Sequence, residues 1–130
     1  MRFEATYIDA NAGAITANVM FAQPPANDGD MPSVLSFSKV IEFTDTTYYF
    51  EVNDQSYSSY GGLDAVHLTR NRIKVTVCED LVEEFGEPDF REIEATFKLN
   101  DANYQELLSK LQLMFSEDPG VLTVDDTVAA

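Results

Sequence analysis

The 130-residue sequence lacks tryptophan, has one cysteine and one histidine, and contains no long apolar run. A single cysteine, Cys78, cannot form an intrachain disulfide, which suits a reducing cytoplasm. A zinc site needs three or four cysteine and histidine ligands, and this chain offers only Cys78 and His67. The apolar runs are far shorter than the roughly 20 residues that cross a bilayer. The first ten residues also lack the basic-then-apolar order of a secretory signal, so we expect the mature chain to begin here.

Basic residues are scarce as well. Eight lysines and arginines stand against 23 aspartates and glutamates, which gives a formal charge of −15. This charge repels phosphates and anionic lipids, so neither nucleic acid nor a membrane surface is expected as a partner. The same field attracts a basic protein and accelerates its encounter. A simpler interpretation is that the acidity only keeps the protein soluble.

No catalytic or ligand-binding motif stands out. His67 lies on a predicted strand with no base or nucleophile assigned to it, and Cys78 precedes two acidic residues, which disfavours a reactive thiolate. The loop at 23–32, "QPPANDGDMP", lacks the alternating ligands and the closing glutamate of a calcium loop. The "YGGLD" stretch lacks the lysine and the spacing of a phosphate loop. We therefore predict no enzyme activity, no cofactor and no metal.

Alternating apolar residues predict a mainly antiparallel sheet. The first two strands, 2–8 and 15–21, are expected to form a hairpin across the "NAG" turn. A tight turn at Arg70–Asn71, with Asn71 left-handed, is expected between two later strands. The remaining predicted strands are 34–43, 47–52, 63–69, 72–78 and 91–99.

Two helices complete the predicted fold. The first covers 79–86 and ends at Gly86. The second begins near Asn100 or Asp101, and its apolar stripe packs on the sheet. The class is therefore α+β: a mainly antiparallel curved sheet packed by a C-terminal amphipathic helix and a second short helix. Residues 1–116 form the predicted domain and 117–130 a loosely packed acidic tail. The apolar stripe of the second predicted helix consists of Tyr104, Leu107, Leu108, Leu111, Met114 and Phe115.

Two segments have the composition of a protein-binding surface. The predicted loop at 53–62, "NDQSYSSYGG", combines tyrosines with small polar residues, as interfaces often do. Alternatively, Tyr57 and Tyr60 fold back on the sheet while Gly61 and Gly62 supply positive φ angles. The second segment, 79–94, is an acidic band, or else simply a solvated face. Its acids are Glu79, Asp80, Glu83, Glu84, Glu87, Asp89, Glu92 and Glu94.

The stretch "TYYFEVNDQSYSSYGGLDAVHLTRNRIKVTV", followed by a short helix, "REIEATFKL" and an amphipathic helix, resembles the immunity protein 10 family. The resemblance covers about 34–116 and is most specific at 48–77. It implies a non-enzymatic cytoplasmic protein that binds a cognate bacterial toxin and blocks its active site or substrate access. It does not assign contact residues.

On physical grounds we expect a polar and aromatic contact set, with nearby acids that steer a basic toxin. Gly61 and Gly62 would shape the loop. An acidic secretion chaperone or another small interaction domain is the alternative, although such chaperones open with a helix and this chain opens with the alternating "RFEATYI". The expected contacts are Asp54, Gln55, Tyr57 and Tyr60, and the steering acids include Glu83, Glu84 and Glu87.

Overall fold

The computed structural model describes residues 1–25, 27, 29–42, 46–118 and 120–125. In these ranges the chain forms two five-stranded sheets, two α-helices and a short 3₁₀ helix at Pro88–Arg91. The helices are α1 (Glu79–Phe85) and α2 (Asp101–Met114). The strands are β1 (Arg2–Glu4), β2 (Tyr7–Ala12), β3 (Thr16–Gln23), β4 (Ser33–Val40), β5 (Tyr49–Val52), β6 (Asp54–Tyr60), β7 (Leu63–Thr69), β8 (Arg72–Val77), β9 (Glu92–Thr96) and β10 (Leu122–Val124).

The predicted α+β class is confirmed, but the strands are divided between two sheets instead of forming one curved sheet. Some predicted positions lie outside the described residues. They are 26 and 28 in the 23–32 loop, Phe43 at the end of a predicted strand, the neighbouring 44–45, and 119 and 126–130 of the predicted tail.

The first sheet, which we call the meander sheet, contains β2 to β6 in chain order, each antiparallel to the next. Alternate side chains of a strand point to the same side, and those on the core face of this sheet are mostly apolar, such as Val19, Phe21, Leu35 and Phe37. Helix α2 packs over β2, β3 and β4. The Asn100 side chain caps this helix by accepting a hydrogen bond from Asn103 N, 2.8 Å away. The helix buries Tyr104, Leu107, Leu111 and Met114.

The second sheet, the mixed sheet, has the order β1-β9-β8-β7-β10. Its three central strands are antiparallel, whereas β1 runs parallel to β9 and β10 parallel to β7. Buried residues of both sheets and α2 form one core cluster. Two ring contacts connect the meander sheet to its neighbours: Phe21 with Phe97, which follows β9, at 5.7 Å, and Phe50 with Phe85 of α1 at 6.5 Å between centroids.

The predicted strand at 2–8 is wrong as a single element. Ala5 N donates to Thr96 O of the mixed sheet, whereas Thr6 N donates to Ala22 O of the meander sheet. The chain therefore passes from one sheet to the other between these two residues. The hairpin with β3 is made by β2, and β1 pairs instead with β9. Periodicity cannot reveal this break, because the alternation of Phe3, Ala5 and Tyr7 in the sequence runs straight across it, although Tyr7 is exposed in the structure.

The predicted left-handed Asn71 is also wrong. Among the described non-glycine residues, only Asn53 has a positive φ, of 64°. The Arg70–Asn71 turn is held differently: Asn71 O accepts a hydrogen bond from Phe97 N at 2.9 Å. Asn53 occupies the single-residue connection between β5 and β6, a place where asparagine tolerates the left-handed region.

Part of the predicted acidic tail is built into the mixed sheet. Residues 122–124 form β10, with Leu122 opposite Val66. The division of the chain at residue 116 stays a prediction. Neither helix in the described part of the chain is long and apolar enough to cross a membrane.

Candidate protein-binding surfaces

The 53–62 segment is not a loop, as the sequence predicted, but mainly the edge strand β6 of the meander sheet. Because its residues are mostly polar and show no apolar alternation, the sequence pattern does not predict this strand. The strand forms by pairing with β5. The pairing shifts within β5: Val52 lies opposite Asp54, while Glu51 lies opposite Ser58. Residues 55–57 therefore bulge out of the ladder.

Side chains of the strand itself hold this bulge. Asp54 Oδ1 accepts a hydrogen bond from Ser56 N at 2.7 Å. Ser58 Oγ donates to Gln55 O at 2.8 Å. Asp54, one of the predicted contact residues, is thus exposed and also fixes the local backbone.

Gly61 and Gly62 connect the two sheets. Their φ angles are +73° and +91°, in the region that favours glycine. Gly61 N donates to Tyr48 O near the meander sheet, and Gly62 O accepts from Cys78 N beside the mixed sheet, both at 2.9 Å. The glycine pair therefore sets how β6 of one sheet passes into β7 of the other.

Tyr60 projects from the solvent side of the meander sheet and is 77% exposed. Its ring packs against Tyr49, opposite it on β5, with centroids 5.1 Å apart and planes at 53°. Beside them lies a cleft of about 720 Å³, which we call the tyrosine cleft. It is lined by Thr16, Ser38, Lys39, Val40, Thr46, Thr47, Tyr49, Glu51, Gln55 and Tyr60.

Glu51 lies in this cleft next to Tyr49. Tyr49 Oη donates to Glu51 Oε1 at 2.8 Å. A hydrogen bond with Ser58 lowers the pKa of Tyr49, but burial and the Glu51 carboxylate together raise it above the ordinary value. The hydroxyl therefore stays protonated at neutral pH and remains a donor to the carboxylate.

The whole solvent side of the meander sheet, which we call the outer face, is poor in charge. Strand register places its side chains in rows across the five strands. Asp9 and Glu51 are the only charged residues among them, in a protein with 24% charged residues. Tyrosine, serine and asparagine dominate, a composition found in binding surfaces. The set is Tyr7, Asp9, Asn11, Thr16, Asn18, Met20, Ala22, Val34, Ser36, Ser38, Val40, Tyr49, Glu51, Ser58 and Tyr60.

Tyr57 lies on the opposite side of β6, away from Tyr60. Its half-buried ring makes edge-on contacts with Phe85 of α1, at 5.9 Å, and with Phe90, at 5.0 Å. Its hydroxyl donates to Glu87 Oε1 at 3.4 Å. The charge of Glu87 is the main cause that raises the pKa of Tyr57. Tyr57 thus folds back on the core, as the alternative interpretation had it, whereas Tyr60 does not.

The acidic band is shorter than the sequence suggested. From Glu79 to Asp89 the acids lie on α1, the turn after it and the start of the 3₁₀ helix, and Glu83 and Glu84 are exposed. Glu92 and Glu94 belong to the mixed sheet, where they form ion pairs with Lys74, Arg2 and Arg72. We therefore restrict the name acidic band to residues 79–89.

Arg91 closes one end of this band. Its guanidinium lies 2.9 Å from the Asp64 carboxylate, and it also donates to Val77 O. The hydrogen bond with Asp64 is the main cause that raises the pKa of Arg91. This arginine is tied to the mixed sheet, and the carboxylates of the acidic band form no ion pair with any described residue.

The sequence model of the immunity protein 10 family matches residues 41–105, half of the chain. The chain belongs to the immunity protein 10 family. Membership implies a toxin-neutralising immunity function. Neither the curated proteins nor the solved structures contain a match to this chain.

The region matched by the immunity protein 10 family contains much of the binding surface described above. It runs from the residue after β4 through β5 to β9 and into α2. Tyr49, Glu51, Gln55 and Tyr60 of the tyrosine cleft lie inside it, and so does the whole acidic band. The hairpin of β2 and β3, which supplies much of the outer face, lies before it.

Sequence reasoning missed Tyr49 and Glu51. The stretch "TYYFEV" predicts a strand, but only the pairing of β6 with β5 places Tyr60 against Tyr49 and beside Glu51. The available signal was the polar half of the alternation: Tyr49 and Glu51 flank the fully buried Phe50. His67 and Cys78 are each half-buried, on β7 and at the start of α1.

Proposed function

We propose that this protein neutralises a cognate toxin in the cytoplasm of the producing cell, by binding it and without catalysis. The match to the immunity protein 10 family carries the proposal. Two physical features support it: an exposed, charge-poor outer face rich in tyrosine, and an acidic band without ion-pair partners among the described residues.

The proposed contact set is Asp54, Gln55, Tyr57 and Tyr60. Tyr60 offers a large exposed ring, and an anchor of this kind contributes strongly once it is desolvated. Gln55 lines the same cleft. Tyr57 contributes through its hydroxyl and through Glu87, because its ring is already packed against Phe85 and Phe90.

Glu83, Glu84 and Glu87 are proposed to steer a basic toxin toward this region. The net charge of −15 gives the long-range attraction, and the band concentrates part of it beside β6. Steering acts mainly on the association rate and weakens as salt screens the charges.

The test is neutralisation by purified protein. The polypeptide encoded directly upstream is produced as the candidate toxin, and its toxicity is measured with and without this protein. A binding inhibitor restores growth when it is co-expressed with the toxin, and as purified protein it abolishes toxin activity at one molecule per toxin. Loss of toxin activity at a small fraction of that ratio would reveal catalysis and contradict the non-enzymatic part. Continued toxicity at saturating protein would contradict the function itself.

Steering has its own matched test. The variant Glu83→Gln/Glu84→Gln should lower the association rate several-fold at low salt, with little change at high salt. The control Glu4→Gln/Glu117→Gln removes the same charge from exposed positions outside the acidic band. Equal loss in both variants would show that net charge acts, and not the band.

A further inference from the structure

We propose that the tyrosine cleft is the receptor for an arginine side chain presented by the partner. This assignment rests on the proposed function for the identity of the partner, a basic toxin. It goes beyond that function by naming the group that is bound and the residues that bind it: Tyr49, Glu51, Gln55 and Tyr60.

The two tyrosines provide the aromatic wall. Their tilted rings, 5.1 Å apart, leave Tyr60 largely open to solvent. A guanidinium stacks well on an exposed tyrosine ring, because the face of the ring carries negative charge. The protein already contains a guanidinium–tyrosine contact at a buried ring, since the guanidinium carbon of Arg70 lies 4.5 Å from the centroid of the Tyr104 ring.

Glu51 provides the counter-charge. In the described part of the chain no basic residue forms an ion pair with it. Tyr49 Oη occupies Oε1, at 2.8 Å, and among the described residues no hydrogen bond to Oε2 is present. Lys39 also borders the cleft, but it is only 4% exposed and lies opposite the fully buried Ala17. Its side chain therefore starts on the core face of β4, and Glu51 is the charge on the outer side.

Arginine fits this arrangement better than a neutral or acidic group. Arginine combines a flat cation, which stacks on the tyrosine ring, with several N–H donors. These donors suit the Glu51 carboxylate and the side-chain amide oxygen of Gln55. An acidic side chain would meet Glu51 and the field of a protein with charge −15. Charge complementarity thus selects a cation, and the aromatic wall selects a planar one.

The test uses N-acetyl-L-arginine amide as the probe and the neutral N-acetyl-L-citrulline amide as its isostere. Each is titrated into ¹⁵N-labelled full-length protein. We expect saturable shifts for the arginine probe at Tyr49, Glu51, Gln55 and Tyr60, with a dissociation constant in the millimolar range. We expect at least fivefold weaker binding of citrulline.

Variants on the same outer face separate this cleft from general attraction. Tyr60→Ala and Glu51→Gln should each weaken the arginine probe about three- to tenfold. The controls Tyr7→Ala and Asp9→Asn remove an exposed ring and a carboxylate from the first strand of the face, outside the cleft, and should leave binding unchanged.

Three results would overturn the inference: no saturable shift, equal binding of citrulline, or equal loss in the control variants. Because the probe titration does not involve the toxin, these failures are distinct from failure of toxin neutralisation. Once the toxin is in hand, Tyr60→Ala and Glu51→Gln must also weaken its binding more than the two controls. Unchanged toxin affinity would overturn the toxin as the source of the arginine.

Discussion

Leu81 of α1 lies directly against Gly62: a β-carbon at position 62 would be 2.2 Å from Leu81 Cδ1. A β-carbon there would force the Leu81 side chain to move. Gly62 also has a φ of +91°, a backbone conformation that favours glycine. The first helix is therefore seated on the bend between the two sheets.

A β-carbon on a residue in the left-handed conformation typically costs about 1–2 kcal/mol. Gly62→Ala should lower the free energy of unfolding by more than this, because the Leu81 side chain must also move. Gly86→Ala is the matched control, because Gly86 has a φ of +72° but open space around its α-carbon. Chemical denaturation measures both. In a protein that already carries Leu81→Ala, Gly62→Ala should lower the free energy of unfolding by less than it does in the parent. If Gly62→Ala and Gly86→Ala cost the same, the contact with Leu81 is unimportant.

Tyr57 and Tyr60 should respond oppositely to truncation. Tyr57→Ala removes a ring packed on Phe85 and Phe90, and we expect a loss of about 2–3 kcal/mol, below the value for a fully buried ring. Tyr60→Ala should change stability by about 0.5 kcal/mol or less. Tyr57→Phe keeps the ring and should be nearly neutral. Urea unfolding of the three variants checks this, and a destabilising Tyr60→Ala would contradict the exposed placement.

Glu94 should make stability depend on acid pH. Burial raises the pKa of this carboxyl, but the hydrogen bond and charge of Arg2, with the charge of Arg72, lower it by more, to below its ordinary value of about 4.5. A lowered folded-state pKa means that the stabilisation is complete above the unfolded-state value and is lost as pH falls through the folded one. Glu94→Gln should therefore cost roughly 1–2 kcal/mol at pH 7 and progressively less below about pH 4.5.

Glu92→Gln is the control for this pH effect. Glu92 lies 3.5 Å from Lys74, and both side chains are well exposed, so the pair contributes little. Unfolding curves of both variants and the parent between pH 3 and 7 give the comparison. A stability difference between Glu94→Gln and the parent that is constant over this range would contradict the lowered pKa.

Asn53 should be hard to replace even by glycine. Its Oδ1 accepts a hydrogen bond from Val34 N at 2.9 Å, and its own N donates to Val34 O at 2.9 Å. Asn53→Gly keeps the left-handed backbone but loses the side-chain bond, for a cost of about 1 kcal/mol. Asn53→Ala loses the bond and keeps the strained β-carbon, so it should cost about 1–2 kcal/mol more. Thermal unfolding orders the two, and an alanine variant as stable as the glycine variant would contradict the strain.

Local patterns in the sequence predicted much of the fold. The α1 helix ends at Phe85 before a left-handed Gly86, and Asn100 caps α2, as their residue types indicated. The predicted strand at 72–78 is confirmed as β8, in which Ile73, Val75 and Val77 alternate on the buried side. These features depend on neighbours within one turn or one strand, so the sequence alone contains them.

Features that depend on distant partners were not predictable. The break between Ala5 and Thr6 depends on two distant residues, because the adjacent N–H groups donate to the carbonyls of Thr96 and Ala22 in different sheets. The strand β6 exists because β5 pairs with it, and that pairing brings Tyr49 beside Tyr60. The composition of the sequence therefore predicts Tyr60 and Gln55 of the candidate site. Tyr49 and Glu51 can be assigned to it only once the pairing of β5 with β6 is known.

The parallel pairing of β1 with β9 has a consequence for synthesis on the ribosome. Arg2 lies opposite Glu94, so the first strand emerges long before its partner has been translated. The meander sheet, whose strands pair only with their neighbours in sequence, can assemble as it leaves the exit tunnel. Nascent Phe3 must wait for β9 before it is covered. The mixed sheet therefore closes only after the strands of the meander sheet have been synthesised.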